Sequence, residues 1–277
     1  INIFNMDQEE LTLKNSLAKI SFCDRQCFNI NNNKTKELIL KHITNKFNIA
    51  VIDKLYVNLH PTMMRNIQFH EHLLATFTNG NPYIFWLTII DGVKWCIYID
   101  RKLKDGYSYP KIHVVNYKFA DDLFTRDTIF TGELIRDINR NWSFLICDIL
   151  VYDGKTVATK NVLSRFQLIY DIMDQQYTPD PIEDICQIHV KRLFQYSDIN
   201  YIFSEFMPSL SYICKGLVFY TMNTNFSNYA WVLPKDSQIQ VYDKMTADEK
   251  FFTKYPDYIQ YKDICTNQYG ILTSGTQ

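Results

Sequence analysis

The chain has 277 residues, of which 47% are hydrophobic and 15% aromatic, and its formal net charge is −1 at pH 7. A near-neutral charge gives no bulk attraction to nucleic acid or to a membrane surface, so any nucleic-acid contact has to be local. The seven cysteines are odd in number and lack two pairs at zinc-ligand spacing, which favours buried thiols in a reducing compartment over a disulfide framework.

The sequence predicts neither a signal peptide nor a membrane span. The first residues lack a basic leader followed by an apolar run, and the longest uncharged run, 73–90, is interrupted by Asn79-Gly80-Asn81-Pro82. Together with the cysteine usage, this predicts an intracellular protein that is cytoplasmic or nuclear, or a component of a viral factory or virion.

Residues 1–80 are predicted to be a helical segment that packs on a main domain formed by residues 81–277. Asp7 and Glu10 form a capping-box pattern before a helix at 11–20. Thr35 precedes a second helical pattern, whose apolar positions are Leu38, Leu40, Ile43 and Phe47.

From residue 83 onward the hydrophobic pattern is that of strands. The runs 83–90 and 93–100 flank Asp91-Gly92, a strong signal for a hairpin. A helix is predicted at 162–173, with an apolar face of Val162, Phe166, Ile169 and Met173. Tight turns outnumber helical crossovers, so we expect an α+β fold with mostly antiparallel sheets. The further predicted strands are 111–119, 128–135, 143–152, 187–194, 217–222 and 229–233.

Five short motifs follow one another in a defined order. They are Ile90-Asp91-Gly92, Phe130-Thr131-Gly132-Glu133, the run 144–148, the run 215–220 and Trp231-Val232-Leu233-Pro234. Their order and spacing resemble the motif set of the nucleotidyltransferase superfamily, which includes mRNA-capping guanylyltransferases and DNA and RNA ligases. The resemblance covers roughly residues 83–234 and implies that fold. The stretch after Pro234 is too short for the family's C-terminal OB-fold, so we expect none.

The resemblance also implies that the charged positions of the family's site are changed. The lysine of the family's K-x-D-G motif attacks the nucleotide α-phosphate, and Ile89 stands in its place. Lys215 stands at the position of the acid of the fourth motif, and Tyr220 at the position of the lysine that often follows that motif. Ala230-Trp231-Val232 stands in place of the K-x-K motif. These losses predict a domain without catalysis.

Other positions keep charges of the family. Glu133 and Asp148 retain acids, although each is also an ordinary hydrogen-bonding residue, and Lys94 stands where the first motif often carries arginine. Cys147 replaces an aromatic residue near the purine. His70-Glu71-His72 lacks a third ligand at a recognisable spacing, so no metal site is predicted. The basic run 101–104 is compatible with a phosphate contact or with a solvated loop.

The pattern of losses is similar to that of the catalytically inactive cap-binding domain of the snurportins. The stretch from Gly216 through Thr224 and Phe226 to Trp231 resembles the part of that domain in which a tryptophan stacks on the methylated guanine. The resemblance implies this role for Trp231, and a tryptophan of the core is the alternative. Gly132-Glu133 and the lack of an arginine-rich importin-β-binding segment depart from the snurportins, which argues against a nuclear-import adaptor.

The sequence therefore predicts a catalytically degenerate guanylyltransferase-like domain that binds an RNA 5′ cap or a guanine nucleotide, without metal or cofactor. The implied setting is a viral or protist RNA-processing or transcription assembly with protein partners. One alternative is a divergent capping guanylyltransferase or RNA ligase that uses another lysine, with Lys94 the nearest candidate. A second alternative is a structural scaffold subunit. The predicted nucleotide- or cap-binding residues are Trp231, Tyr220, Lys94, Glu133, Lys215 and Asp91.

Overall fold

The computed structural model of the protein describes residues 13–63, 67, 69–222, 224 and 227–232. Predictions that involve Asp7, Glu10, Phe226, Leu233 and Pro234 lie outside the described residues. The described chain forms two compact units. Unit 1 consists of residues 13–54, 80–136 and 140–190, and unit 2 of residues 55–79, 137–139 and 191–232.

A nine-stranded sheet dominates the described part of unit 1. Its strands are β1 (Leu17–Phe22), β2 (Arg25–Ile30), β5 (Asn81–Ile90), β6 (Val93–Asp100), β7 (Ile112–Val115), β8 (Thr128–Arg136), β9 (Trp142–Tyr152), β10 (Lys155–Thr156) and β11 (Gln187–Val190). Their order in the sheet is β1-β2-β7-β6-β5-β8-β9-β10, and β11 pairs with β9 in parallel, whereas the other pairs are antiparallel. The helices of this unit are α1 (Asn33–Phe47), α2 (Asp121–Thr125) and α3 (Val162–Gln175).

The described part of unit 2 is built on a four-stranded sheet in the order β3-β13-β12-β4. Short helical turns occupy Tyr196–Asp198, Ile199–Tyr201, Ile202–Phe206 and Met207–Ser209. The strands are β3 (Val57–Asn58), β4 (His72–Thr78), β12 (Cys214–Thr221) and β13 (Tyr229–Val232). The predicted α+β class with mostly antiparallel sheets is confirmed.

The two units do not follow the predicted division into residues 1–80 and 81–277. β4 pairs antiparallel with β12, so the stretch 55–79 folds with the later part of the chain. β1, β2 and α1 belong to unit 1 instead. The described part of residues 1–80 therefore contains strands as well as a helix, and its residues are divided between both units.

Tight turns with two left-handed residues close the β5–β6, β1–β2 and β9–β10 hairpins. Asp91 (φ 52°) and Gly92 (φ 73°) join β5 to β6, as the sequence predicts. Cys23 (φ 52°) and Asp24 (φ 60°) join β1 to β2 in the same way. The β1–β2 hairpin corrects the predicted helix at 11–20: of its described residues, 13–20, Leu13–Ser16 form a 3-10 turn and the rest belong to β1. Pairing with β2 through a turn that contains no glycine overrides the helical pattern.

Helix α1 is confirmed, and its cap lies earlier than predicted. The Asn32 side chain accepts a hydrogen bond from the Thr35 backbone N–H, at 3.1 Å, so Asn32 is the N-cap and Thr35 lies inside the helix. α3 begins at Asn161 in the same way. Each helix buries one apolar face: Ile39, Ile43 and Phe47 in α1, and Val162, Phe166, Ile169 and Ile172 in α3.

Asp127 ties the end of α1 to the sheet. Its buried carboxylate accepts hydrogen bonds from the Lys46 ammonium at 2.6 Å and from the Trp86 indole N–H at 2.9 Å. Lys46 lies in the last turn of the helix, where a cation also interacts favourably with the helix dipole. The described helices include none that is long and apolar enough to cross a membrane.

Candidate functional site

The Asp91-Gly92 turn brings Ile89, Asp91 and Lys94 together at one end of the β5–β6 hairpin. Ile89 pairs with Lys94 across the hairpin, and Asp91 is exposed in the turn. The Lys94 ammonium lies 2.5 Å from a carboxylate oxygen of Asp121, in a pair whose side chains are 46% and 77% exposed. An exposed pair of this kind contributes about 0–1 kcal/mol, so Lys94 is a solvated surface lysine that could exchange its partner at little cost.

Glu133, in β8, lies beside the end of β5 that is opposite to Ile89. It pairs with Pro82 in the β5–β8 register, whereas Ile89 pairs with Lys94 near the other end of the strand. At about 3.3 Å per residue, the Pro82 and Ile89 positions are roughly 23 Å apart along β5. The structure therefore does not bring Glu133 together with Asp91 and Lys94, which corrects the prediction of one site containing all three.

Gly80 lies close against β8, beside Glu133 and Ile135. A Cβ placed on Gly80 would lie 2.8 Å from the Ile135 Cγ2 and 2.9 Å from the Glu133 Cβ. Glu133 itself is buried, with 3% of its surface exposed. Gly80 ends the tetrapeptide Phe77-Thr78-Asn79-Gly80, which is a second sequence of the x-x-(D/N)-G type. In unit 2, Phe77 pairs with Gly216 across β4 and β12.

Gly132 is explained by packing rather than by ligand binding. A Cβ at Gly132 would overlap the Leu145 carbonyl oxygen and would lie 2.6 Å from Cζ of the Phe144 ring. Phe144 is fully buried among the aromatic rings of Phe85 and Tyr98. The glycine of this motif thus makes room for the neighbouring strand.

Gly132→Ala is expected to lower the free energy of unfolding by about 2–3 kcal/mol, because overpacking against a backbone oxygen cannot relax through a side-chain rotation. Urea denaturation measures the loss. Gly106→Ala is the comparison, since Gly106 has φ +82° with no atom within 4 Å of an added Cβ; it should cost about 1 kcal/mol from backbone strain alone. Equal losses in the two variants would contradict the packing explanation.

Asp148 forms a buried, two-pronged ion pair with Arg165. Arg165 Nε and Nη2 donate to the two Asp148 oxygens at 2.7 and 2.9 Å, and the Ile149 backbone N–H donates to one of them at 2.8 Å. The third nitrogen, Arg165 Nη1, donates to the Lys160 carbonyl at 2.5 Å. Burial raises the pKa of Asp148, and the Arg165 guanidinium opposes that shift. Asp148 therefore anchors α3 to β9, and its oxygens are not open to a metal ion.

In unit 2, Tyr220 belongs to a buried polar cluster. Its hydroxyl lies 3.0 Å from the Tyr56 hydroxyl, which in turn accepts a hydrogen bond from the Lys191 ammonium at 3.4 Å. The Lys191 ammonium also lies 5.5 Å from the centre of the Tyr56 ring, and the Tyr56 ring contacts Phe77 edge-on. Tyr56 and Lys191 were not predicted from the sequence, because they are far apart in the chain and neither lies in a motif.

Trp231 lies in the core of unit 2. The residue is 7% exposed, pairs with Leu217 across β12 and β13, and packs edge-on against Phe203 with ring centres 6.3 Å apart. Stacking on a guanine requires an open ring face, which this burial removes. The predicted stacking role is thus replaced by a core role in this structure. Lys215 is half-buried at the start of β12, beside a β-bulge.

The remaining candidates also have structural roles. Cys147 is buried, and its thiol lies 3.4 Å from the Leu145 carbonyl oxygen. The His72 Nδ1 lies 2.6 Å from the His70 carbonyl, and burial lowers the pKa of His72 to about 4, which keeps the ring neutral at pH 7. Within the described ranges, no three His, Cys, Asp or Glu side chains are grouped so as to hold a metal ion.

A comparison with protein families identifies a family model that covers much of the chain. The family model described as the catalytic domain of mRNA capping enzymes matches residues 56–230, which is more than half of the chain. The matched range begins at Tyr56, before β4, and extends into β13. It therefore includes both the 77–80 and the 89–92 tetrapeptides.

Proposed function

Because the chain belongs to the family of mRNA capping enzyme catalytic domains, we propose that it is a guanylyltransferase-like domain that binds a guanine nucleotide or an RNA 5′ cap without forming a covalent intermediate. One observation carries this proposal. In both tetrapeptides that resemble the family's K-x-D-G motif, the lysine position holds a hydrocarbon side chain, Phe77 or Ile89. Neither can attack a phosphate.

We assign the first motif to Phe77-Thr78-Asn79-Gly80 rather than to residues 89–92. Residues that bind one nucleotide have to lie close together. Within unit 1, a Cβ added at Gly80 would lie 2.9 Å from the Glu133 Cβ, whereas the 89–92 stretch lies at the other end of β5 from Glu133. By this assignment, Asp91 and Lys94 belong to a surface hairpin outside the nucleotide-binding region.

No covalent adduct is expected when the protein is incubated with GTP or ATP labelled at the α-phosphate, in the presence of Mg²⁺ or Mn²⁺. Attack on the α-phosphate needs a deprotonated amine held in line with the leaving group, and the first motif offers none. Denaturing electrophoresis followed by autoradiography measures the adduct, with a capping guanylyltransferase that has the motif lysine as the positive control. A lysine-linked label on this chain would contradict the proposal.

Binding without reaction is measured separately. Isothermal titration with GTP, ATP and a methylated cap analogue is expected to give a guanine-dependent affinity. Failure of all three ligands to bind would favour the alternative of a structural scaffold, whereas an adduct would favour the alternative of a divergent enzyme. The two failures are thus distinguishable.

If an adduct does form, Lys191 is a stronger candidate for its lysine than Lys94. The Lys191 ammonium donates a hydrogen bond to the Tyr56 hydroxyl, and the Tyr56 ring contacts Phe77. Lys94, by contrast, belongs to the surface hairpin. Lys191→Ala would then abolish labelling and Lys94→Ala would leave it intact. The likeness to the snurportin cap-binding domain, and a place in a viral or protist RNA-processing assembly, stay predictions.

A further inference from the structure

Two cysteines that are far apart in the chain meet in unit 1. The thiol of Cys23, in the β1–β2 turn, donates a hydrogen bond to the sulfur of Cys186, which immediately precedes β11. Both residues are free thiols, and each is only 8% exposed. Two thiols that are already in contact need only a small further approach to form a disulfide, so the pair meets the main geometric requirement for one.

The turn that carries Cys23 is fastened to the segment that carries Cys186. The guanidinium of Arg25, the first residue of β2, donates hydrogen bonds to three carbonyl oxygens of the loop 181–184, at 2.8 to 2.9 Å. Asp24, the other turn residue, accepts two further hydrogen bonds at 2.9 Å from side chains of β8 and β9. The contact between the two sulfurs is therefore held by the fold on both sides of the turn.

Of the two thiols, Cys186 ionises first. The Tyr117 hydroxyl lies 3.2 Å from its sulfur, and the Tyr98 hydroxyl lies 3.1 Å from that of Tyr117. The hydrogen bonds from Cys23 and from Tyr117 lower the pKa of Cys186, against burial and the nearby Asp184 carboxylate. The same contact and burial raise the pKa of Cys23. Because the thiolate is the form that reacts with an oxidant, Cys186 is the reactive thiol and Cys23 is placed to attack its oxidised sulfur.

Cys27 is a competing thiol in the same hairpin. It lies in β2, where it pairs with Ile20 across the hairpin, and its electrostatic effect on Cys23 shows that the two side chains are near each other. Burial raises the pKa of Cys27 to about 11, which keeps it in the less reactive thiol form at pH 7. Cys27 therefore provides an internal control for any reaction of the pair.

We propose that Cys23 and Cys186 are an oxidation site at which hydrogen peroxide converts the two thiols into a reversible disulfide. The Cys186 thiolate attacks one peroxide oxygen, the O–O bond breaks, and the departing hydroxide takes up the proton that Cys186 released; this leaves a sulfenic acid and one water. The Cys23 sulfur then attacks the Cys186 sulfur, the S–O bond breaks, and the hydroxyl leaves as a second water with the Cys23 proton. Two thiols are oxidised and one peroxide is reduced to two waters.

The bridge links the β1–β2 hairpin to the start of β11 within unit 1. A disulfide that forms only on oxidation and is readily reduced again is typical of redox-sensing sites. Neither cysteine belongs to the five motifs of the nucleotidyltransferase resemblance. The oxidation site is therefore independent of nucleotide binding and of the missing lysine.

The test is oxidation of the full chain with hydrogen peroxide at pH 7, followed by alkylation of the remaining thiols and non-reducing tryptic mapping by mass spectrometry. Trypsin cleaves after Arg25, so Cys23 and Cys27 fall on different peptides. The expected product is a peptide pair joined through Cys23 and Cys186, two hydrogen masses lighter than the separate peptides, which dithiothreitol resolves. Both thiols should be lost about tenfold faster than that of Cys27. A bridge from either residue to another cysteine, or irreversible oxidation of Cys186 without a bridge, would overturn the proposal.

Serine variants assign the two roles. Cys23→Ser should stop the reaction at a sulfenic acid on Cys186, which dimedone traps, whereas Cys186→Ser should leave Cys23 unlabelled at the same peroxide dose. Cys27→Ser is the matched control, because it removes a buried thiol of the same hairpin and should keep the bridge and its rate within about twofold. Dimedone labelling of Cys23 in Cys186→Ser, or loss of the bridge in Cys27→Ser, would contradict the assignment.

Thermal unfolding shows whether the bridge forms in the native fold. A native disulfide restricts the unfolded chain, so the oxidised parent, measured without reductant, should melt roughly 5–15 °C above the reduced protein. Cys23→Ser and Cys186→Ser should lack this shift. A melting temperature that is unchanged or lower after bridging would mean that the bond forms only in a distorted or partly unfolded chain, and would overturn the proposal.

Discussion

Arg165→Ala is expected to lower the free energy of unfolding by about 3–5 kcal/mol. The change leaves the Asp148 carboxylate buried with only the Ile149 N–H as a partner, and an unpaired buried charge costs far more than the pair contributes. Chemical denaturation at pH 7 measures the loss. Arg126→Ala is the matched control, because Arg126 pairs with Asp153 through side chains that are 63% and 39% exposed; it should cost at most about 1 kcal/mol.

The cost of Arg165→Ala should also depend on pH. Burial raises the pKa of Asp148, and removal of Arg165 takes away the main opposing effect, so the folded variant binds a proton more readily than the unfolded chain. Its stability deficit should therefore shrink as the pH falls from 7 towards 4. Asp148→Leu/Arg165→Met should be less destabilised than Arg165→Ala, because the charge is removed with its partner. A deficit that is constant with pH would contradict this account.

Trp231→Ala is expected to destabilise the protein by about 3–5 kcal/mol, because the indole lies in the core of unit 2 and its loss leaves a cavity. Thermal or denaturant unfolding measures the change. Trp142→Ala is the matched control. Trp142 is half-buried on β9 and donates a hydrogen bond to Asp24 at 2.9 Å, so its loss should cost only about 1 kcal/mol.

The same pair of variants separates the core role of Trp231 from the stacking role. A core residue changes stability and leaves the cap-analogue affinity of the folded protein nearly intact. A stacking residue would do the reverse, with an affinity loss of about 1–3 kcal/mol and little change in unfolding. The second result, measured at a temperature where the variant is folded, would restore Trp231 to the ligand site.

Local patterns predicted the strands and hairpins of the main sheet well. Asp91-Gly92 forms a turn of two left-handed residues, and the runs on either side pair as expected. Both features were predictable because the alternation of residue types along a strand and the choice of turn residues depend on only a few neighbouring residues. The β1–β2 hairpin of the same sheet is an exception that the sequence did not predict, since Cys23 and Asp24 adopt left-handed conformations without glycine. β4 was also missed, and it is β4 that joins residues 72–78 to the later part of the chain.

The first motif illustrates the same limit at the site. Asp91-Gly92 and Asn79-Gly80 both fit the end of a K-x-D-G pattern, and the sequence favours the one with aspartate. The register of β5 against β8, which pairs Glu133 with Pro82, supports the proposed choice of the tetrapeptide that ends at Gly80. In either tetrapeptide the first position holds a hydrocarbon side chain, Phe77 or Ile89.

The sequence by itself determined the fold class and the family resemblance, because each depends on which residues are present and in what order. Only the tertiary structure decided that Trp231 and Tyr220 are buried and that Asp148 is held by Arg165. Burial and pairing arise from contacts between residues far apart in the chain, so no local pattern of residue types could have fixed them.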